Sequence, residues 1–199
     1  MPDEETDRAI VERQIGRPPR GPVRVESRCA YGYPAVVSVA PLLPRRGQGK
    51  GSEPFPTRFW LTCPILVEQI SRLEATGLIG RLEEEMAGDP TLAGRVRDDH
   101  ARYAAERFAG LDPAGRESAG RAGSLPILRD SGVGGLRDAR HLKCLHAHYA
   151  FHRVRGSAIG EILDRRFAPR ECEPSDVRCD VFRKAPAHPG GAGDPPCPS

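Results

Sequence analysis

Residues 141–152 contain the densest set of metal-ligating side chains in the chain, with four of its six histidines and one of its six cysteines. On an α-helix, which turns by about 100° per residue, one arc of about 80° holds His141, Cys144, His148 and His152. Cys144 and His148 lie one turn apart, so both can reach a single ion. On a β-strand, Cys144, His146 and His148 would share a face instead. Both geometries favour a metal site here, and the apolar neighbours favour the helix.

A complete metal site needs ligands from elsewhere, and two cysteines at predicted turns can supply them. Cys29 and Cys63 each follow a predicted strand. Three thiolates and one imidazole favour tetrahedral zinc. The sequence therefore predicts one zinc ion with four ligands, namely Cys29, Cys63, Cys144 and His148. If Cys29 lies too far away, the open position can hold a water for hydrolysis. The alternative is that these side chains only pack in the core.

Cys63 also has a second possible role, as a nucleophile. It precedes Pro64, the preferred first residue of a helix, so its thiol is expected near a helix N-terminus. The exposed N–H groups and the helix dipole at that position stabilise a thiolate. A catalytic Cys63 needs a base, which His146 or His148 can supply. The alternative is a cysteine without chemical function at a helix start.

Two further segments suggest anion binding. The glycine-rich run 132–135 precedes basic residues that include Arg137 and Lys143, so its N–H groups can face an anion. A flexible hinge explains the same glycines. Arg20, in a Pro/Arg-rich stretch, is a second candidate for a phosphate-binding rim, although a solvated surface explains it equally well.

The elements that must position these residues follow from hydrophobic periodicity. Strands are predicted over 23–28, 35–40 and 57–62, with a polar loop over 44–54. Helices are predicted over 3–14, 64–76, 78–86, 91–108, 138–155 and 157–167. The predicted fold class is α+β, with a small antiparallel N-terminal sheet packed on a mainly helical C-terminal half. The predicted domain limits are an N-terminal helix and lead-in over 1–22, one domain over 23–168, and a largely disordered tail over 169–199.

Composition excludes several classes of protein. The 199 residues include 30 basic and 27 acidic side chains, for a net charge of +3, and the two signs are interspersed. A nucleic-acid interface normally concentrates its positive charge on one stripe, so no nucleic acid is expected as a partner. No apolar run reaches the roughly 18 residues of a membrane span, and no leader is recognised. The expectation is a cytoplasmic protein with free or metal-bound thiols.

Several short blocks resemble an uncharacterised, mainly actinobacterial family known as domain of unknown function 501. The blocks lie at 16–21, 28–34, 54–57, 61–64, 73–77 and 143–148. The family has no established activity, so the resemblance implies no reaction. Its members resemble one another most around the blocks of Cys63 and of Cys144 and His148, which implies that these blocks meet in the fold.

Three hypotheses follow for function. The first is a protein that binds one zinc-like ion, in a structural or a hydrolytic role. The second is a metal-free thiol enzyme with Cys63 as nucleophile. The third is an interaction module without enzymatic activity, which docks a partner linked to the cell envelope or to division. The partner is an unidentified small molecule or protein.

Overall fold

The computed structural model describes residues 4–45 and 51–184. The strands are β1 (Val23–Arg28), β2 (Pro34–Val39), β3 (Leu42–Pro44), β4 (Ser52–Pro54) and β5 (Phe59–Leu61). The α-helices are α1 (Glu4–Ile15), α2 (Pro64–Ala75), α3 (Leu78–Gly88), α4 (Pro90–Ala109), α5 (Pro113–Arg121), α6 (Leu125–Asp130), α7 (Leu145–Arg155), α8 (Ala158–Phe167) and α9 (Asp180–Lys184). A 3-10 turn spans Val133–Gly135. This arrangement confirms the α+β prediction.

The main sheet is antiparallel, with β2 between β1 and β5. Val37 of β2 pairs with Val25 on one side and with Trp60 on the other. All six residues of β2 are buried, as expected for a central strand covered on both faces. Because β1 and β5 both run opposite to β2, their last residues lie at the end of the sheet where β2 begins.

Aromatic side chains join this sheet to the helical half. Phe59 of β5 stacks on Phe151 of α7, with ring centroids 6.0 Å apart. Tyr103 of α4 packs edge-on against both rings, at 5.9 Å and 5.2 Å. All three residues are almost fully buried. Burial and ring packing therefore hold α4 and α7 in fixed positions against the sheet.

The longest helix of the described residues is α4, and Asp89 caps its start. The Asp89 carboxylate accepts hydrogen bonds from the N–H groups of Thr91 and Leu92, at 2.9 Å and 3.1 Å, while Pro90 occupies the first turn. Among the described helices, none combines the length and the apolar character that a bilayer crossing requires.

Three predicted elements differ from the observed ones. The predicted helix over 138–155 begins only at Leu145, so the segment before it is irregular. Residues 110–135, for which no helix is predicted, contain α5 and α6. The flanks of the predicted loop over 44–54 form the two-stranded ladder of β3 and β4, while residues 46–50 lie outside the described part.

Residues 169–184 belong to the segment that the sequence assigned to a tail, yet they lie against the N-terminal half. The Tyr31 hydroxyl donates to the carbonyl of Cys172 at 2.9 Å. The Tyr33 hydroxyl donates to the Asp180 carboxylate at 2.7 Å. The turn between β1 and β2 is therefore the contact surface for this segment. Residues 185–199 lie outside the described residues.

Candidate metal site at the start of α7

The site is built around the first residues of α7. Cys144 precedes the helix in an extended conformation, with φ −154° and ψ 119°. His146 lies in the first turn. A helix over 138–155 would place Cys144 and His148 in one arc of its surface. That expectation is wrong, because Cys144 lies outside the helix. His146, which that helix would have directed elsewhere, lies beside Cys144.

Two glutamates from other helices explain why α7 begins so late. The Glu83 carboxylate of α3 accepts a hydrogen bond from the N–H of Leu142 at 2.7 Å. The Glu74 carboxylate of α2 accepts one from the N–H of Leu145 at 2.5 Å. Cys144 makes no capping hydrogen bond with its side chain. Glu74 therefore takes the place of an N-cap residue, with its negative charge at the helix N-terminus.

The same Glu74 carboxylate brings its second oxygen to His146. The Nδ1 atom of His146 lies 3.2 Å from Glu74 Oε2 and 3.6 Å from Cys144 Sγ. One ligand atom from each of the three residues lies within 4.8 Å of the other two, and within the described residues this is the group of three His, Cys, Asp or Glu side chains that meets that distance. A carboxylate, a thiol and an imidazole thus converge from α2 and from the start of α7.

The contacts of the other ring nitrogen of His146, Nε2, determine which of the two nitrogens carries the hydrogen of the neutral ring. Nε2 lies 3.2 Å from the carbonyl oxygen of Val67 and 3.0 Å from the Ser71 hydroxyl. A carbonyl only accepts hydrogen bonds, so its contact favours a hydrogen on Nε2. In the neutral ring, Nδ1 then presents a lone pair to the Glu74 oxygen. Two acceptors facing each other at 3.2 Å repel unless a cation lies between them.

Electrostatics agree with this reading. Burial alone would lower the pKa of His146, but hydrogen bonds with Cys144 and Glu74 and their negative charge raise it to about 10. Burial alone would raise the pKa of Glu74, but His146 and the N–H of Leu145 hold it below its usual value. Without a metal, a second proton on the ring therefore fills the gap between Nδ1 and Glu74 at neutral pH.

The site is open to solvent on one side. The side chains of His146 and Glu74 are each 23% exposed, and Cys144 is half-buried. A small ion and its water can therefore reach the three ligand atoms. Three protein ligands leave one tetrahedral position for water or another molecule, as in catalytic zinc sites.

His148, a predicted ligand, lies elsewhere. It is fully buried and stands edge-on to His100 of α4, with ring centroids 5.5 Å apart. Neither of its ring nitrogens has a hydrogen-bond partner among the described residues. Burial and the nearby His100 lower its pKa to about 3, so it is neutral at pH 7. Its side chain is two residues from His146 but belongs to the core.

Cys63 lies where the sequence predicts, at the N-cap of α2 before Pro64. The residue is only 3% exposed and belongs to the main core. Burial raises the pKa of its thiol to about 11, and the N–H groups of Leu66 and Ile65 offset this only in part. The expectation of an activated thiolate at Cys63 is therefore wrong, because desolvation outweighs the effect of the helix N-terminus.

Cys29 and Cys63 lie near the cysteines of the C-terminal segment. Besides burial, which raises both pKa values most, Cys179 and Cys172 raise the pKa of Cys63, and Cys29 and Cys172 raise that of Cys179. All the described cysteines are free thiols. In the described ranges, no three of these four sulfur atoms come within 4.8 Å of one another, and none of the four thiols joins Cys144 in a ligand group. The four predicted ligands, namely Cys29, Cys63, Cys144 and His148, therefore do not form one site among the described residues.

The two predicted anion-binding residues, Arg20 and Lys143, have different neighbours. The Arg20 guanidinium binds the Glu53 carboxylate at 2.6 Å and the carbonyl of Pro44 at 2.6 Å. Lys143 is exposed, and its aliphatic part passes over Gly134. Arg20 is occupied by an internal ion pair, so an anion would have to displace Glu53.

Glu74 is the ligand that sequence reasoning missed. It lies at the end of an amphipathic helix, where an acidic residue normally faces solvent. Its one signal is its place in the Leu73–Glu74 block of the resemblance. Only the packing of α7 on α2 shows that this carboxylate faces Cys144 and His146.

Comparisons with known proteins agree with the blocks noted in the sequence. A family model described as a protein of unknown function (DUF501) matches residues 25–165, which is more than half of the chain and includes all three residues of the site. A search of curated proteins and a search of solved structures gave no match. The chain belongs to the DUF501 family.

Proposed function

We propose that the protein binds one zinc-like divalent ion through Glu74, Cys144 and His146. The observation that carries the proposal is the convergence of a carboxylate oxygen at 3.2 Å and a sulfur at 3.6 Å on the Nδ1 atom of His146. A metal ion between the three atoms would take the place of the Nδ1 proton and make three bonds of about 2.0–2.3 Å.

The ligand types favour zinc among the common divalent ions. Thiolate and imidazole exclude the hard ions magnesium and calcium, which take oxygen ligands. The hydrogen bond from His146 Nε2 to Val67 is the outer contact that orients metal-bound histidines in proteins. The fourth coordination position is then available to water, which suits a hydrolytic role better than a purely structural one.

Metal analysis tests this proposal. Protein purified without a histidine tag from zinc-supplemented medium is expected to contain about one zinc ion per chain. Cys144→Ala is expected to lose the ion, because two ligands do not hold zinc tightly. Cys172→Ala, which removes a half-buried thiol outside the site, is the matched control and is expected to keep it. Metal-free wild-type protein, or equal loss in both variants, contradicts the proposal.

The second candidate is thiol chemistry at Cys144, favoured by the positive His146 ring beside its sulfur. In metal-free protein, Sγ of the half-buried Cys144 lies 3.6 Å from the Nδ1 atom of this ring. Iodoacetamide is then expected to alkylate Cys144 much faster than the buried Cys63. Zinc is expected to protect Cys144, which distinguishes a metal ligand from a nucleophile that binds no metal. Equal labelling rates for the two thiols would exclude this candidate.

A further inference from the structure

A concave site lies beside α4, and none of the residues proposed to bind metal lines it. A cavity of about 660 Å³ is bordered by α4, α5, α6 and the segment 132–139. Its volume is within the usual range for small-molecule sites, roughly 300–1,000 Å³. Its floor is made of short side chains at helical spacing on one face of α4, namely Ala101, Ala104, Ala105 and Ala109. This floor leaves room for a flat apolar group.

The rim of the cavity is strongly basic. Four arginines line it from separate elements, namely Arg97, Arg116, Arg129 and Arg137. One carboxylate, that of Asp130, faces them, and it is bound by both Arg129 Nε and Nη2 at 2.7 Å and 3.0 Å. The site therefore has a large excess of positive charge.

The remaining arginines are available to a ligand. The guanidinium groups of Arg97 and Arg137 make no hydrogen bond or ion pair with any residue in 4–45 or 51–184, and that of Arg116 stacks over the Phe108 ring at 5.0 Å. All three are exposed. A guanidinium group can donate two parallel hydrogen bonds to two oxygens of one phosphate. A phosphate group is therefore the best match to this rim.

A buried histidine forms part of the cavity wall. The Nδ1 atom of His100 accepts a hydrogen bond from the N–H of Val133 at 2.9 Å. The neutral ring then carries its hydrogen on Nε2, which is buried and makes no hydrogen bond among the described residues. Burial lowers the pKa of His100, against smaller opposing effects of Asp99 and the His141 carbonyl, so the ring is neutral.

The wall around His100 is preformed. A side chain at Gly132 would meet the His100 ring, since a Cβ there would lie 2.2 Å from Nδ1. Beneath it, the fully buried Arg107 donates to the carbonyls of Leu128 and Ile127 at 2.8 Å and 3.2 Å and so ties α6 to α4. Helices α4 and α6, which carry Arg97 and Arg129, are thus fixed to each other.

We propose that this cavity binds a small phosphorylated organic molecule. The phosphate lies against Arg97 and Arg137, and the apolar part of the ligand lies on the alanine floor. A flat ring attached to a phosphate fits both surfaces, whereas inorganic phosphate uses only the rim. The proposal is independent of the metal site, since none of the residues of that site lines the cavity.

Calorimetric titration of the full chain tests the proposal, with adenosine monophosphate and phenyl phosphate as probes. At least one is expected to bind in a 1:1 complex with a dissociation constant below about 1 mM, and at least tenfold more tightly than inorganic phosphate or than adenosine or phenol. Arg97→Ala and Arg137→Ala are each expected to weaken binding about tenfold or more.

Arg165→Ala is the matched control, because it removes an exposed arginine that does not line the cavity. It is expected to leave the affinity within about twofold. No binding of either probe at 5 mM overturns the proposal, where ~5 mM is set well above the affinity range of a functional site. Equal losses in all three arginine variants also overturn it, because they indicate non-specific attraction. Equal binding of inorganic phosphate overturns the role of the apolar floor.

Discussion

His146 and His148 are two residues apart in the same helical turn, and the fold gives them opposite chemistry. His146 faces a carboxylate, a thiol and a carbonyl, and its pKa is raised to about 10. His148 faces core side chains and the His100 ring, and its pKa is lowered to about 3. The helix directs the first side chain toward α2 and the second toward α4, because residues two apart point to nearly opposite sides.

This difference separates two ways of burying an imidazole. At His146, interactions with anionic neighbours outweigh the loss of hydration, so the ring is protonated at neutral pH. A metal ion could replace this proton. At His148, no described group compensates for the lost hydrogen bonds, and the ring stays neutral. A histidine-rich sequence therefore says little about a metal site until the neighbours of each ring are known.

The largest expected effect concerns His148→Leu under acid conditions. The folded-state pKa of His148, about 3, is below its ordinary value of 6.5. The unfolded chain therefore takes up a proton as the pH falls through 6.5, and the wild type loses stability down to about pH 3. The leucine variant lacks this loss. Relative to wild type, it is expected to gain about 3 kcal/mol of unfolding free energy between pH 7 and pH 4.5.

Urea unfolding at the two pH values measures this gain. His141→Leu is the matched control, since the His141 side chain is 58% exposed and lies in the irregular segment before α7. It is expected to show a much smaller change between the two pH values. A pH-independent difference between His148→Leu and wild type would show that His148 is not buried in a neutral form.

The next effect concerns Glu74→Gln and the proton on His146. Removing the negative charge while keeping the acceptor for Leu145 is expected to lower the pKa of His146 in chelator-treated protein by at least about one unit. Histidine NMR titration measures the midpoint. Glu84→Gln, on the exposed face of α3, is the control and is expected to leave it unchanged.

The same substitution has a stability signature with a definite sign. A raised histidine pKa contributes stability that is fully present below pH 6.5 and is lost as the pH rises through about 10. Glu74→Gln is therefore expected to destabilise metal-free protein at neutral pH and to matter less above pH 10. A destabilisation that is constant between pH 7 and pH 10.5 would show that Glu74 acts only as a cap of α7.

The smallest effect is expected from Ser71→Ala. The Ser71 hydroxyl contacts His146 Nε2 at 3.0 Å, but the Val67 carbonyl remains as an acceptor after the substitution. Zinc affinity is expected to fall by about tenfold or less, as for a single outer contact of a metal ligand. Competition with a chelating dye measures the affinity, and Ser118→Ala, which lies in α5, is the control. A loss as large as that of Cys144→Ala would make Ser71 a direct ligand.

Local signals in the sequence predict the elements well where local interactions form them. The cap of Asp89 on α4 and that of Ser157 on α8 are both present, because each needs only a neighbouring N–H group. The late start of α7 is not predictable in this way. The N–H groups of Leu142 and Leu145 are bound by glutamates from α3 and α2, so a tertiary contact replaces the continuation of the helix.

The site was predictable only in part for the same reason. Cys144 and His146 were both singled out, but a continuous helix assigned them to different faces. Cys63 was placed correctly at a helix start, while the sign of its pKa shift depended on burial by distant residues. Glu74 is ordinary in sequence and becomes a ligand candidate only through the packing of two helices.

X-ray absorption on protein loaded with one equivalent of zinc tests the central claim most directly, because it counts the sulfur atoms bound to the ion. Coordination by Glu74, Cys144 and His146 predicts one sulfur at about 2.3 Å and two or three nitrogen or oxygen atoms at about 2.0–2.2 Å. A shell with two or more sulfurs would place the ion at Cys29, Cys63 and their neighbours, and would contradict the account.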